Sequence, residues 1–286
     1  MMKGFSILEM MVAMVITLVI TASVAGNINF QKRTFTEGAL RSRINQNLRG
    51  ALDIIGTDIR IGGENLPMGF PAILIIDGVT DQLVVRRSLL DEALPVCADI
   101  PAGYINPEIT VADDSSATPG CAVDGIETAF NRWNEFRNNQ GGTMRAYLFN
   151  LSTKAGEYFT VGSQTNNTTN LTLSKEESTP FSNNYPAGSS VIYVLEEWTY
   201  RIDGDELQVI QNGETEDPLT VLFGVDTFSV TATLSNNSTV NSLAANDSWT
   251  AIKFIEIKLE AEESKPNGSI RKAVTSRFFP RNILSF

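Results

Sequence analysis

One carboxylate stands at the edge of an apolar stretch of membrane length. It is Glu9, in Lys3-Gly4-Phe5-Ser6-Ile7-Leu8-Glu9, and an almost purely apolar run from Met10 to Ala25 comes directly after it. An ionised side chain at such a position costs about 3 kcal/mol in the mildest scales, so it is kept where it has a partner. The chemistry open to Glu9 is ion pairing at depth. The cation comes either from another chain or from the first turn of its own helix, whose positive end also favours an acid.

The remaining candidates for chemistry are weaker. The chain has no histidine and two cysteines, which excludes Ser-His-Asp and Cys-His catalysis, His-ligated metals and a structural zinc site. Asp203, Asp205 and Glu206 share one turn, as do Asp113 and Asp114. Neither cluster has the spacing of a regular calcium loop, so solvated turns are expected and no metal is assigned. Trp133, Trp198 and Trp249 read as core or sheet-face aromatics, with a carbohydrate platform as the alternative. Asn-x-Ser/Thr triplets such as Asn167-Thr168-Thr169 and Asn237-Ser238-Thr239 read as polar loops. No catalytic residue, cofactor or enzymatic activity is expected.

The elements that position Glu9 are set by periodicity. About 21 residues from Phe5 to Ala25, at 1.5 Å each, span roughly 31 Å and match a bilayer core. Beyond Gly26, the apolar residues Leu40, Ile44, Leu48, Leu52, Ile55 and Ile59 recur every three or four positions, one face of a helix. Arg41, Gln46, Asn47, Arg49, Asp53 and Asp58 fall on the other face. The spacing predicts a helix with a membrane half (5–28) and an amphipathic half (29–63), ended by Gly62-Gly63 and Pro67. Gly26 is either a point of bending or a plain interfacial glycine.

From position 67 to 286 the pattern changes to short alternating strands. Phe70 to Ile76 and Gln82 to Arg87 flank Asp77-Gly78, and Tyr200 to Ile210 folds back at Asp203-Gly204-Asp205. Further strands are expected at Arg145 to Asn150, Tyr158 to Val161, Leu171 to Leu173, Val191 to Ile202, Leu219 to Leu234, Trp249 to Ala261 and Arg271 to Phe279. With no helix between the late strands, the sheet should be antiparallel and the class α+β. Positions 90–142 read as a long loop insertion with a short helix near Ile126 to Phe136, either a partner-facing surface or a tolerated insertion.

The N-terminal stretch Gly4-Phe5-Ser6-Ile7-Leu8-Glu9 resembles the type IV pilin superfamily, in which a short basic leader ending in Gly precedes Phe, an apolar helix and an acid five positions into the mature chain. The likeness is specific over about the first 25 residues. More diffusely, the Tyr200-to-Ile210 hairpin, Pro218, the Phe228-to-Leu234 and Ile255-to-Leu259 strands and the Val274-to-Asn282 ending resemble PilW-type minor pilins. The resemblance implies a pilin-like fold, with 1–4 as leader. It implies that a prepilin peptidase cuts between Gly4 and Phe5, that the Phe5 amine is N-methylated, and that Glu9 pairs with the amine of a neighbouring subunit. The Phe5 amine of the same chain is the local alternative.

The implied role is that of a minor pilin in a complex that primes pilus assembly, with other minor and major pilins as partners and a place at the tip. The nearest alternative is a minor pseudopilin of a type II secretion or DNA-uptake system. A different class, an adhesin or enzyme exported behind a signal peptide, would use Ser23-Val24-Ala25 as its cleavage site. The chain would sit as a single-pass protein in the inner membrane with its C-terminal domain in the periplasm, then in the filament. Lys32, Arg33, Arg41 and Arg43 outnumber Lys3 and run against the positive-inside rule, which large translocated domains override. In that oxidising compartment a Cys97–Cys121 disulfide is expected, with two buried thiols as the alternative. A net charge of −11 disfavours nucleic acid as the main partner.

Overall fold

The computed structural model describes residues 7–265 and 268–285. Helix α1 is continuous over Ile7–Ile61, 55 residues, which at 1.5 Å per residue is roughly 82 Å. The face that the helical period defines is the buried one: Ile44, Leu48, Leu52, Ile55 and Ile59 are covered together with Ala51, and Leu40 packs at their margin. Gly26 does not interrupt the helix.

Two strands, β1 (Ile73–Ile76) and β2 (Gln82–Ser88), form a hairpin around Asp77-Gly78. Then come β3 (Leu94–Pro95), β4 (Glu108–Asp113), helix α2 (Val123–Asn139), β5 (Met144–Asn150), β6 (Gly156–Asn166), β7 (Asn170–Lys175) and β8 (Ser190–Tyr193). The chain closes with β9 (Leu195–Asp203), β10 (Glu206–Gln211), β11 (Leu219–Phe223), β12 (Val225–Leu234), β13 (Thr239–Val240), β14 (Ile252–Lys265) and β15 (Gly268–Phe278). The expected hairpin is β9 with β10, in register from Asp203 opposite Glu206 to Trp198 opposite Gln211.

These strands make three antiparallel sheets, ordered β1-β2-β9-β10-β11, β13-β12-β14-β15 and β3-β8-β5-β6-β7-β4. The first two pack with the buried face of α1 around one core. In the third, the even positions of β5 (Met144, Ala146, Leu148) face a second core that includes Phe130 and Trp133 of α2. Its odd positions, Tyr147 and Phe149, join the first core, where Phe70 lies 4.5 Å from the Phe149 ring and 5.1 Å from that of Tyr193. Arg86 on β2 crosses to Glu197 on β9 at 2.6 Å, donates to the Pro71 carbonyl at 3.1 Å, and lies against the Phe70 and Tyr147 rings. This ion pair is nearly buried between the layers.

Two expectations are corrected and a third is refined. The stretch 90–142 is irregular over roughly half its length, and the remainder, β3, β4 and the expected helix, here α2, supplies much of the second core. The partner of β4 is remote: Glu108 stands opposite Ser174, so no hairpin turn marks the strand. Val191 to Ile202 is two strands in different sheets, β8 and β9. Leu219 to Leu234 is likewise divided, because Gly224 takes a φ of +69°, open to glycine at no steric cost, and turns the chain from one sheet into the next. Cys97 and Cys121 are bonded, with Cα atoms 5.7 Å apart.

This packing can be tested at two points. Opening the Cys97–Cys121 bridge by Cys97→Ser with Cys121→Ser should lower unfolding free energy by on the order of 3 kcal/mol, read by urea titration. At the end of α1, Gly63 has a φ of +81°, and an added Cβ would lie 2.2 Å from the Trp249 ring. Gly63→Ala should therefore cost about 2–4 kcal/mol in the same assay; an unchanged midpoint would show that the helix end is not seated on Trp249.

Candidate functional site

The exposed half of α1 is the candidate site. Its first apolar residues, among them Ile7, Leu8, Met10, Met11 and Met14, are solvent-exposed. A window of mean hydropathy 2.3 within the helix has none of its residues buried, so α1 is long and apolar enough for a membrane span or a signal sequence. The 22 residues from Met10 to Gln31 carry no charge. Within them the hydroxyls bond back along the helix: Thr17 donates to the Ala13 carbonyl at 2.8 Å, Thr21 to Thr17 at 2.8 Å and Ser23 to Val19 at 2.9 Å. A hydroxyl satisfied in this way adds little to the cost of entering hydrocarbon. Glu9 lies in the first described turn of α1. Gly4 and Phe5 lie outside the described residues.

The other half of α1 is fastened to the sheets at several points. Near its middle, Lys265 Nζ donates to Glu37 Oε1 at 2.8 Å; this hydrogen bond holds the Glu37 carboxyl below its usual range. Arg43 pairs with Glu263 further along. Gly56 passes so close to Phe278 that a Cβ would enter the ring, and Arg60 stacks over the same ring. At the last turn Asn282 Nδ2 donates to the Ile61 and Gly62 carbonyls at 3.0 and 3.2 Å. The C-terminal segment thus satisfies carbonyls that a helix end leaves open.

Asp58 departs from expectation. The helical period assigns it to the exposed face, yet it is half-buried and accepts a hydrogen bond from the Tyr200 hydroxyl of β9. Burial pushes its carboxyl above the ordinary range; Glu196 adds to the rise, while the Tyr200 hydroxyl and Arg87 oppose it. Sequence reasoning has no means of finding this pair, since the two residues are 142 positions apart.

The lesser candidates do not converge on the helix. Asp113 accepts from the Ser115 amide and hydroxyl at 2.8 and 2.6 Å, and Asp114 from the Val123 amide at 2.9 Å. Glu206 accepts from the Thr220 hydroxyl at 2.8 Å, and Asp203 lies 3.8 Å from Arg201. Among the described residues no group of three or more acidic or cysteine side chains could hold a metal. Trp133 and Trp249 are fully buried and Trp198 nearly so, which makes them core residues and removes the carbohydrate platform. Cys97 and Cys121 are both buried, the first next in sequence to the second-core residue Val96 and the second two before Val123. No family model, curated protein or solved structure matches this chain.

Asp58 yields a signed pH prediction. A carboxyl whose folded pKa is raised contributes its stability below the ordinary value of 3.8 and loses it as pH rises through the raised value. Asp58→Asn keeps an acceptor for Tyr200 and removes the buried charge. It should leave stability at pH 7 equal or higher, and flatten its fall between about pH 4 and 7. Asp58→Ala should cost about 1–3 kcal/mol by stranding the Tyr200 hydroxyl. Parallel urea titrations at several pH values measure both.

Proposed function

We propose that this chain is a minor type IV pilin of the PilW kind, made as a single-pass inner-membrane prepilin with its sheets in the periplasm. The observation that carries the reading is one unbroken helix that is apolar and uncovered over its first half, one-sided and buried on antiparallel sheets over its second, with a lone acid in its first turn. A rigid rod of this kind can leave a membrane for a bundle of like helices without refolding, because its second half is already anchored. In this reading a peptidase removes the leader after Gly4, and Phe5 becomes the N-methylated terminus. The Glu9 carboxylate neutralises the Phe5 amine of a neighbouring pilin and sets the axial register. The partners are other minor and major pilins, and the role is priming of filament assembly. We assign no catalytic activity to the chain and no nucleic acid as main partner.

Intact-mass analysis of the membrane-extracted protein tests the pathway. A chain starting at N-methylated Phe5 is expected; one starting near Asn27 would mean ordinary signal-peptide export and end the pilin reading. Glu9→Ala should leave that cut intact but reduce co-isolation with partner pilins at least about tenfold, equivalent to ~1.4 kcal/mol. Recovery at wild-type level would remove Glu9 from the assembly step. A deletion strain scored for both surface pili and protein secretion separates a pilus subunit from a pseudopilin.

A further inference from the structure

The four cations that contradict the positive-inside rule, Lys32, Arg33, Arg41 and Arg43, have no role in the proposed assembly step. They lie on the same side of the apolar stretch as the sheets. With the membrane half of the helix, residues 5–28, in the bilayer, its 24 residues span roughly 36 Å against a hydrocarbon thickness of about 30 Å, an excess that tilt accommodates. That places Lys32 and Arg33 at headgroup level, with Phe30 on their bilayer side and Phe35 on the other. Phe30 and Phe35 are 70% and 78% exposed. They lie about 140° apart around the helix axis, and Ile28, also exposed, shares the side of Phe35. A protein partner seated on one face would not touch both phenyl groups, whereas a lipid interface surrounds the helix.

The part of the sheet domain nearest this collar carries charges of both signs: Lys265 is paired with Glu37, and Arg271 with Asp226, Glu260 and Glu262. The β14–β15 hairpin reaches α1 at Glu37 through Lys265. Beside it a groove of 530 Å³ is lined by Arg41, Asn45, Lys265, Ser269, Arg271 and Lys272.

We propose that Phe30, Phe35, Lys32 and Arg33 form an interfacial anchor. It binds the anionic phospholipid headgroups of the leaflet on the sheet-domain side and fixes the depth at which the subunit waits before assembly. This rests on the membrane-inserted reading of α1. Aromatic rings settle at the headgroup boundary, and each cation near an anionic leaflet is worth roughly a fivefold preference over a neutral one. The anchor also explains why cations are tolerated beyond the span: on the far side of the bilayer they hold position and take no part in setting topology.

The test uses the full chain in vesicles of phosphatidylcholine alone or mixed with phosphatidylglycerol. Because the native cysteines are bonded to each other, a single fluorophore can be placed through Gln31→Cys or, as a reference, Val15→Cys. Nitroxide lipids labelled in the headgroup or deep in the acyl chain report depth. In phosphatidylglycerol vesicles the Gln31 probe should be quenched chiefly by the headgroup label. Phe30→Ser/Phe35→Ser/Lys32→Gln/Arg33→Gln should shift this ratio several-fold toward the value seen in phosphatidylcholine. The positions are exposed, and because Arg33→Gln removes the Arg33–Glu37 ion pair, an unchanged urea midpoint is required of the variant before depths are compared. Identical depth in both lipids and both proteins, with the Val15 probe still quenched by the acyl-chain label, would overturn the anchor alone. A Val15 probe that no lipid quenches would overturn membrane insertion itself. Protection of the Gln31 probe only on adding partner pilins would assign the collar to another subunit and also overturn the proposal.

Discussion

Burial of one helix face is the interaction on which the rest of this structure depends. From Ile44 to Ile59 the apolar face of α1, Ile54 aside, is covered by sheet, while on the same rod the large apolar residues from Ile7 to Phe35 are exposed. In proteins most helical stability comes from tertiary packing of one face rather than from propensity. The covered half of α1 supplies the tertiary packing that holds it, and the uncovered half inherits a helical template. The domain is in that sense a handle for the helix. Its attachments, Lys265 to Glu37, Arg43 to Glu263, Tyr200 to Asp58 and Asn282 to the final carbonyls, are distributed along the second half and end where the exposed half begins.

The sheet domain has a comparable economy. Strand β5 serves two cores at once, with Met144, Ala146 and Leu148 on one side and Tyr147 and Phe149 on the other. This couples the layer built on α2 to the layer built on α1. The Arg86–Glu197 pair stands at that junction among aromatic rings. A nearly buried ion pair adds little net stability over an apolar substitute, but loss of one partner strands a charge. Its position opposite in register therefore penalises any slip between β2 and β9.

Legibility differs sharply between elements. The buried stripe of α1 is visible because its members lie within one continuous stretch and recur at the helical period. The β1–β2 and β9–β10 hairpins are visible because their strands are joined by turn residues and alternate over several positions. By contrast, β4 pairs with β7 across an intervening helix and two strands, and its alternation covers six residues. The divided runs at Val194 and Gly224 show a related limit. A continuous β-branched run says that a segment is extended, not which sheet it belongs to; at Gly224 the change of sheet comes with one residue's positive φ.

By itself, then, the sequence determined the helix, its two kinds of surface, the isolated acid at its start and the antiparallel character of the strands beyond it. All of these depend on residue types at short spacing, and local periodicity encodes them. Only the tertiary structure decided the grouping of strands into three sheets, the second core where a loop was expected, the closed Cys97–Cys121 bridge and the burial of Asp58 against Tyr200. Those outcomes depend on which distant segments share a neighbourhood. An acid in a polar helix stripe looks the same in sequence whether water or a tyrosine stands opposite it; the packing of β9 on α1 made the difference.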